Sequence, residues 1–371
     1  MATGYRDLST LVFPPAWDLT ELAKIKLADG TTYAEVADIL GVGLAALNSE
    51  IANDPLWSAL CYFTDAPTYS YRVGVSAAMG RHTEYGLPDP QRAEIEGHML
   101  PYAEWDYALG WTRDYLRRAN MEQVTADIAL ALQAARDRFR LSVLTRLLKR
   151  GDDSGSANGL GTSGYSPGFA TAAAATNVDF TPLSYGGISF TSDHEHYVGI
   201  AGGAWTASAF ADMVAELREH GHEPPYDFIT GPSDEAAILN LSTFVPVAQW
   251  GVNYGSTATL TTVSGDADGN GNRYIGVINN VRVRIVTGMP QYYGFAWKSY
   301  GVRSQRNPVR VRLDTGETAL RVYAEPDSRL GGMWPLTYML MRLNFGVGVG
   351  DRTNGTPRYN NNTTWVDGVP T

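Results

Sequence analysis

WTRDYLRRANMEQVTADIALALQAARDRFRLSVLTRLLKR, residues Trp111–Arg150, holds neither glycine nor proline and is closed at its two ends by Gly110 and Gly151. Its apolar residues Leu116, Val124, Ile128, Leu132, Ala135, Phe139, Val143 and Leu147 step by threes, fours and eights along one helix face. The spacing predicts a single helix over 111–150, roughly 50–60 Å long at about 1.5 Å per residue. An ordinary globular helix has about 11–12 residues. The segment before it reads as a long ribbon. Pro67 to Gly86 carries Tyr69, Tyr71, Val73 and Val75 in period-two alternation. Leu87-Pro88-Asp89-Pro90 makes a turn, and Ala93 to Leu109 returns. Each limb has about 15–20 residues, against about 5–6 in a typical strand, and an isolated two-stranded ribbon is marginal in water. The ribbon should therefore lie on another surface, most economically that of a neighbouring subunit. A rod and a ribbon this long imply an assembly of copies.

The whole chain, 371 residues, is long enough for two or three sub-domains with a real core. Hydrophobic residues at 44% and charged ones at 18% describe a folded globular protein slightly poor in charge. A net charge of −10 argues against a protein whose main task is gripping nucleic acid, which needs a basic footprint. The 9 Trp and 21 Tyr suit protein–protein contacts as well as ordinary cores. One cysteine, Cys61, allows no disulfide within the chain and fits a reducing compartment. The first fifteen residues hold Arg6, Asp7, Pro14 and Pro15 and no apolar block, so no signal peptide is read there. No apolar run approaches the ~18 residues that span a bilayer. The expectation is a soluble protein, intracellular when made.

The remaining elements follow in order. Residues 1–60 read as an arm, with short helices over Leu19–Ala28 and Thr32–Leu47 separated by Asp29-Gly30. Gly151 to Asn177, rich in Gly, Ser, Asn and Ala, reads as a flexible loop. Phe190 to Ala204 is strand-like, and a helix over Thr206–His220 stops at Gly221. A strand is expected over Tyr226–Thr230, then a helix over Asp234–Leu241 capped by Ser233. Further strands are expected over Thr257–Val263, Tyr274–Val277 and Val281–Val286. Arg310–Leu313 and Ala319–Tyr323 are expected to pair across Asp314-Thr315-Gly316. Strand-like Leu336–Val349 is followed by a polar tail rich in Asn and Thr.

Arm, ribbon and long helix, followed by an α/β region, resemble the order of parts in major capsid proteins of tailed bacteriophages. Their fold is the Hong Kong 97-like (HK97-like) shell fold, an α+β fold shared with encapsulins. Phe210–His222 leading into Tyr226–Glu235 is similar to the central helix and strand of such proteins, and Tyr274–Pro290 to the strand pair that leaves that domain. The resemblance spans roughly residues 10 to 360. It implies an N-terminal arm over 1–60 and an extended β-hairpin loop over 61–110. It implies a peripheral domain over 111–195 and 300–371, with a spine helix over 111–150, and an axial domain over 196–299. The implied function is that of a coat protein without enzymatic activity. It would self-assemble into pentamers and hexamers of an icosahedral virion shell around double-stranded DNA, put together in the host cytoplasm. Implied partners are other copies of the chain, scaffold and portal proteins, a possible cement protein and weakly contacted DNA, with no membrane. An encapsulin-like compartment enclosing cargo enzymes is the alternative. Some relatives are locked by a lysine-to-asparagine bond. Here the lysines are Lys24, Lys26, Lys149 and Lys298, and the hairpin has none, so a non-covalent shell is expected.

Charge divides unevenly along the chain. Residues 1–60 hold three basic and eight acidic residues, net −5; residues 61–110 hold three and seven, net −4. Residues 111–150 hold nine and four, net +5, with Arg136, Arg138, Arg140, Arg146, Lys149 and Arg150 set against Asp137 alone in the second half. Only Lys149 and Arg150 sit close enough to the helix end to answer its dipole. The acidic arm or hairpin is the expected partner of this stripe, packaged DNA the competing one, and a solvated face the plain alternative.

Other motifs spell chemistry without its context. Thr31–Gly41 followed by Val42–Asn48 resembles a helix-turn-helix, yet its second segment has no Arg or Lys through Ala52 for phosphate contacts. Gly159-Leu-Gly-Thr-Ser-Gly164 matches a dinucleotide fingerprint but follows a helix, not a strand. Asp266-Ala-Asp268-Gly-Asn270-Gly271 opens like a calcium loop, but Val277 stands where a bidentate Glu is needed. His194 and His196 share a face if extended and could join His220 and His222 on zinc, although no fixed second shell is visible. Cys61 has no paired base and reads as a buried apolar residue. A hydrolase of α/β type would need carboxylates or histidines converging in a cleft, and only these weak sets are present. The sequence thus predicts no catalytic, cofactor-binding or metal residues.

Overall fold

A computed structural model describes residues 26–73, 94–151, 155–156, 163–164, 166–171, 180–246, 272–326 and 336–370. Along the chain these form α1 (Tyr33–Asn53), α2 (Pro55–Leu60), β1 (Cys61–Thr64), β2 (Thr68–Val73), β3 (Glu94–Met99) and β4 (Ala103–Thr112). Next come α3 (Arg113–Arg118), α4 (Met121–Leu148), β5 (Gly155–Ser156), β6 (Ser163–Gly164), β7 (Val198–Gly199) and α5 (Ala207–Glu219). Then follow β8 (Tyr226–Thr230), a 3-10 turn (Pro232–Asp234), α6 (Glu235–Leu239), β9 (Val245–Pro246), β10 (Arg273–Ile278) and β11 (Val281–Ile285). The last strands are β12 (Tyr293–Trp297), β13 (Val309–Arg312), β14 (Val322–Pro326), β15 (Leu336–Val349) and β16 (Thr356–Tyr359).

The chain divides into two units. One comprises Met1–Asp54, Ala103–Arg140 and Leu313–Phe345. In it α1 begins at Thr32, whose side chain accepts from the Glu35 amide while the Glu35 carboxylate takes the Thr32 amide, a reciprocal capping box. Val36, Leu40, Leu44, Leu47 and Ile51 form its buried stripe. Gly43 lies on the same helix where a Cβ would stand 3.0 Å from Leu132 of α4. The Asn48 amide ties α1 to β14, accepting from Val322 N at 2.7 Å and donating to Val322 O at 3.3 Å. β4 and the first ten residues of β15 pair antiparallel from Thr112↔Leu336 to Ala103↔Phe345, and β14 takes β15's other edge.

The second unit comprises Pro55–Tyr102, Leu141–Arg312 and Gly346–Thr371. Its seven-stranded mixed sheet runs β7-β16-β12-β8-β11-β10-β9. α5 starts at the Thr206 cap and buries Ala209, Phe210, Met213 and Leu217 against Phe228, Val281, Val283 and Ile285. β8 and β12, central in the sheet, are buried along their whole length, as strands covered on both faces must be. The end of β15, Gly346–Val349, pairs with β13, which pairs in parallel with β1.

Several expectations are corrected. The helix over 111–150 is two helices. Trp111 and Thr112 belong to β4, Thr112 caps α3, and the chain leaves helical geometry at Ala119, whose φ is −73° and ψ 146°. Asn120 restarts it: its side chain accepts from Gln123 N while Gln123 Oε1 accepts from Asn120 N. α4 therefore has 28 residues, about 42 Å at ~1.5 Å each. The return limb of the ribbon is also broken. β3 pairs with β2, then Leu100-Pro101-Tyr102 redirects the chain and β4 joins β15 instead. Proline at 101 cannot continue the ladder.

β13 and β14 do not pair with each other, because both are taken up by β15. Of Phe190–Ala204 only Val198–Gly199 is strand. Helix α6 ends at Leu239, and Ser233 lies in the preceding 3-10 turn without a capping bond. Within the segment read as a loop, Gly155–Ser156 and Ser163–Gly164 pair antiparallel. The polar tail contains β16, a strand inside the sheet. Of Leu19–Ala28, residues 26–28 are described and are not helical. The expected turn at 87–90 and strand at 257–263 lie outside the described residues.

Candidate functional site

The ribbon base places its two faces in different surroundings. The register Thr68↔Met99, Tyr69↔His98, Ser70↔Gly97, Tyr71↔Glu96, Arg72↔Ile95 sets Tyr69, Tyr71 and His98 on one side. That side is anchored within its own unit. Tyr71 meets Phe180 edge-on at 5.4 Å, and the Arg310 guanidinium sits 4.6 Å from the Tyr69 ring. Arg352, 2% exposed, lies 4.2 Å from Phe180 and donates to the Gly168 carbonyl. His98 donates from Nε2 to the Val349 carbonyl at 2.8 Å. The other side shows Ile95 71% exposed and Met99 38% exposed, beside exposed Ser70 and Arg72. Ile95 and Met99 are thus two exposed apolar side chains on a face otherwise lined by Thr68, Ser70 and Arg72.

The basic stripe is largely occupied by the chain's own groups. In the first unit Arg136 makes a two-pronged ion pair with Glu50 of α1, at 3.1 Å and 2.6 Å. Arg138 stacks 3.2 Å above the Trp105 ring, and Arg140 pairs with Asp137 at 2.9 Å. In the second unit Arg146, 1% exposed, donates to the carbonyls of Ser166, Lys149 and Gly151. Arg150 pairs with Glu195. Glu50 falls in the expected arm and Trp105 in the expected hairpin, so these two segments of the same chain take up Arg136 and Arg138.

The motif resembling a helix-turn-helix is one unbroken helix, α1, with Gly41 and Gly43 inside it. Gly159–Leu160–Gly161–Thr162 and the calcium-like Asp266–Gly271 lie outside the described residues. Cys61 is fully buried at the start of β1.

Three of the four histidines meet. Gly221, with φ +80°, ends α5 in a Schellman motif: Gly221 N donates to Arg218 O and His222 N to Leu217 O. This leaves Glu219 and His220 at the helix end. The segment before β7 is held by His196 N donating to Ala170 O at 2.7 Å. The Nε2 atoms of His194, His196 and His220 then lie 3.1, 2.9 and 3.0 Å from one another. Glu219 Oε1 is 3.3 Å from the first and 3.7 Å from the last. Burial lowers the pKa of all three rings, His220 to about 3, so they are neutral. His222 is elsewhere, bonded to the hydroxyls of Tyr300 and Thr353. Sequence reading missed Glu219, although its position beside His220 and the Gly221 stop marks it.

No family model matches the sequence, and no curated protein matches it. Among solved structures, a chain from Mycobacterium phage Patience is 19% identical over 95% of this chain and 94% of that one, with a TM-score of 0.60. A capsid chain of a native GTA particle is 14% identical over 83% and 89%, with a TM-score of 0.47. A chain of the holo-SrpI encapsulin complex from Synechococcus elongatus PCC 7942 is 11% identical over 84% and 89%, with a TM-score of 0.40. The first likeness, over almost the full length of both chains, gives the fold: this is an α+β chain of the Hong Kong 97 type.

Proposed function

We propose that this chain is the major capsid protein of a tailed bacteriophage, gathering into pentamers and hexamers that close an icosahedral shell around double-stranded DNA. The observation that carries this reading is the shared fold with a phage chain over nearly the whole of both molecules. The divided ribbon fits it, since its inner face is tied down by Tyr69, Tyr71 and His98 while its outer face leaves Ile95 and Met99 open. In this reading residues 1–60 are the arm and 61–110 the loop that laps over an adjacent subunit. Residues 111–195 and 300–371 are the peripheral domain, and 196–299 the axial domain. The work is geometric, with no reaction catalysed, in the virion. Self-contacts dominate, scaffold and portal proteins assist, and DNA is touched weakly because the basic stripe is already engaged by Glu50, Trp105 and Glu195.

Without a lysine in the hairpin the shell is held non-covalently. The test is electron microscopy of the purified chain after expression alone and with the scaffold from its own genome. Closed polyhedra of uniform diameter are expected. Monodisperse monomers under both conditions contradict the proposal, and particles loaded with a cargo enzyme in place of DNA would mark an encapsulin-like compartment.

A further inference from the structure

We propose that His194, His196, His220 and Glu219 form a site for one divalent transition metal of the zinc class, clamping the segment before β7 onto the end of α5. Three Nε2 atoms 2.9–3.1 Å apart make a nearly equilateral triangle. A triangle of that size has a circumradius of ~1.7 Å, so a point just above its centre lies about 2.0–2.1 Å from every corner, the zinc–imidazole distance. Glu219 Oε1 lies to one side, within reach as a fourth ligand.

Three further observations point to a cation. His196, fully buried, donates from Nδ1 to the Gly355 carbonyl at 2.8 Å, which fixes the tautomer and leaves the Nε2 lone pair facing the centre. A backbone carbonyl in that position is the usual orienting partner of a metal-binding histidine. Hydrogen bonds alone cannot satisfy the triangle. Whichever tautomers His194 and His220 take, at least one of the three contacts sets donor against donor or lone pair against lone pair. A metal accepts all three lone pairs at once.

Glu219 supplies the third observation. Its Oε1 is buried without a hydrogen-bond partner among the described residues, at the C-terminal and hence negative end of α5. The side chain as a whole is 26% exposed, and a cation in the triangle would give Oε1 the partner it lacks. Phe190 walls the cluster, with its ring 4.4 Å from that of His220 and 4.8 Å from that of His194. Imidazole and carboxylate together suit zinc over calcium or magnesium, which take oxygen ligands.

The test titrates zinc ions alone into chelator-stripped, full-length protein and reads metal per chain by mass spectrometry and heat by calorimetry. One zinc per chain is expected, with a higher melting temperature on loading. His220→Ala should lose the site, and Glu219→Gln, which keeps the helix end intact, should bind at least tenfold more weakly. Parent protein that takes up no stoichiometric zinc overturns the proposal. So does undiminished binding by folded His220→Ala, or by Glu219→Gln where His220→Ala does not fold.

Discussion

His98 carries the inner face of the ribbon, and its environment makes that anchor sensitive to acid. Burial, followed by the charges of Arg352, Arg146 and Arg310, lowers its pKa to about 4, against a partly opposing hydrogen bond to Val349. Between pH 6.5 and 4 the unfolded chain takes up a proton that the folded chain refuses. Stability is therefore full above pH 6.5 and falls as pH drops through that window, by about 3 kcal/mol for this group. Denaturant melts of dissociated subunits at pH 7.5 and 4.5 should show that loss, and His98→Gln should remove it from the difference. Glycine positions separate two kinds of close approach. A Cβ on Gly346 would overlap the Pro101 carbonyl oxygen, backbone that cannot yield, so Gly346→Ala should cost about 3 kcal/mol or more. Gly43→Ala meets only the mobile end of Leu132 and should change stability by less than about 1 kcal/mol, with the gain in helix propensity offsetting the contact. Thermal melts of both variants decide this. Gly346, Gly348 and Gly350 alternate in the sequence and could have flagged a strand face covered by Leu100, Pro101 and Arg310.

Helices and strands with strong local signals were legible, and those set by distant partners were not. Thr32 with Glu35, Thr206 with Gly221, and the apolar run Leu336–Val349 announce their elements in neighbouring residues. The break at Ala119-Asn120 has no glycine or proline to mark it; only the Asn120–Gln123 pair, a weaker spelling of the capping box, does. Asn120→Ala should therefore destabilise the first unit by about 1 kcal/mol, measurable by urea denaturation. β16 was hidden because Thr356–Tyr359 reads as polar. Its Arg358 can be buried because Glu216 of α5, 142 residues away, pairs with it and the His196 carbonyl accepts from it. The histidine cluster was partly legible: the sequence offered His194, His196, His220 and His222 as one set, but only the fold sets His222 apart and adds Glu219. The Arg136–Glu50 bridge joins α1 to α4 at partial exposure, so it should contribute about 0.5–1 kcal/mol. Arg136→Glu should lower the melting temperature at low salt, Arg136→Glu with Glu50→Arg should restore it, and both effects should shrink at high ionic strength. An unchanged melt in the single variant would mean the pair does no work.

At the scale of the molecule, the base of the ribbon is held, among the described residues, through the face that carries Tyr69, Tyr71 and His98. The residues pinning it, Tyr69, Tyr71 and His98, contact Phe180, Arg310 and Val349 of the same unit. At its base one face packs within its own unit and the other leaves Ile95 and Met99 exposed, which is where the proposed neighbour would sit. Ile95→Asp should leave subunit stability within about 0.5 kcal/mol, because that side chain is 71% exposed, yet stop shells from closing. Hydroxyl-radical footprinting of Met99 in dissociated subunits and in purified particles tests the central claim most directly. Covering of the outer face by another copy predicts ready oxidation in the lone subunit and a several-fold drop on assembly. Equal labelling in both states would contradict it.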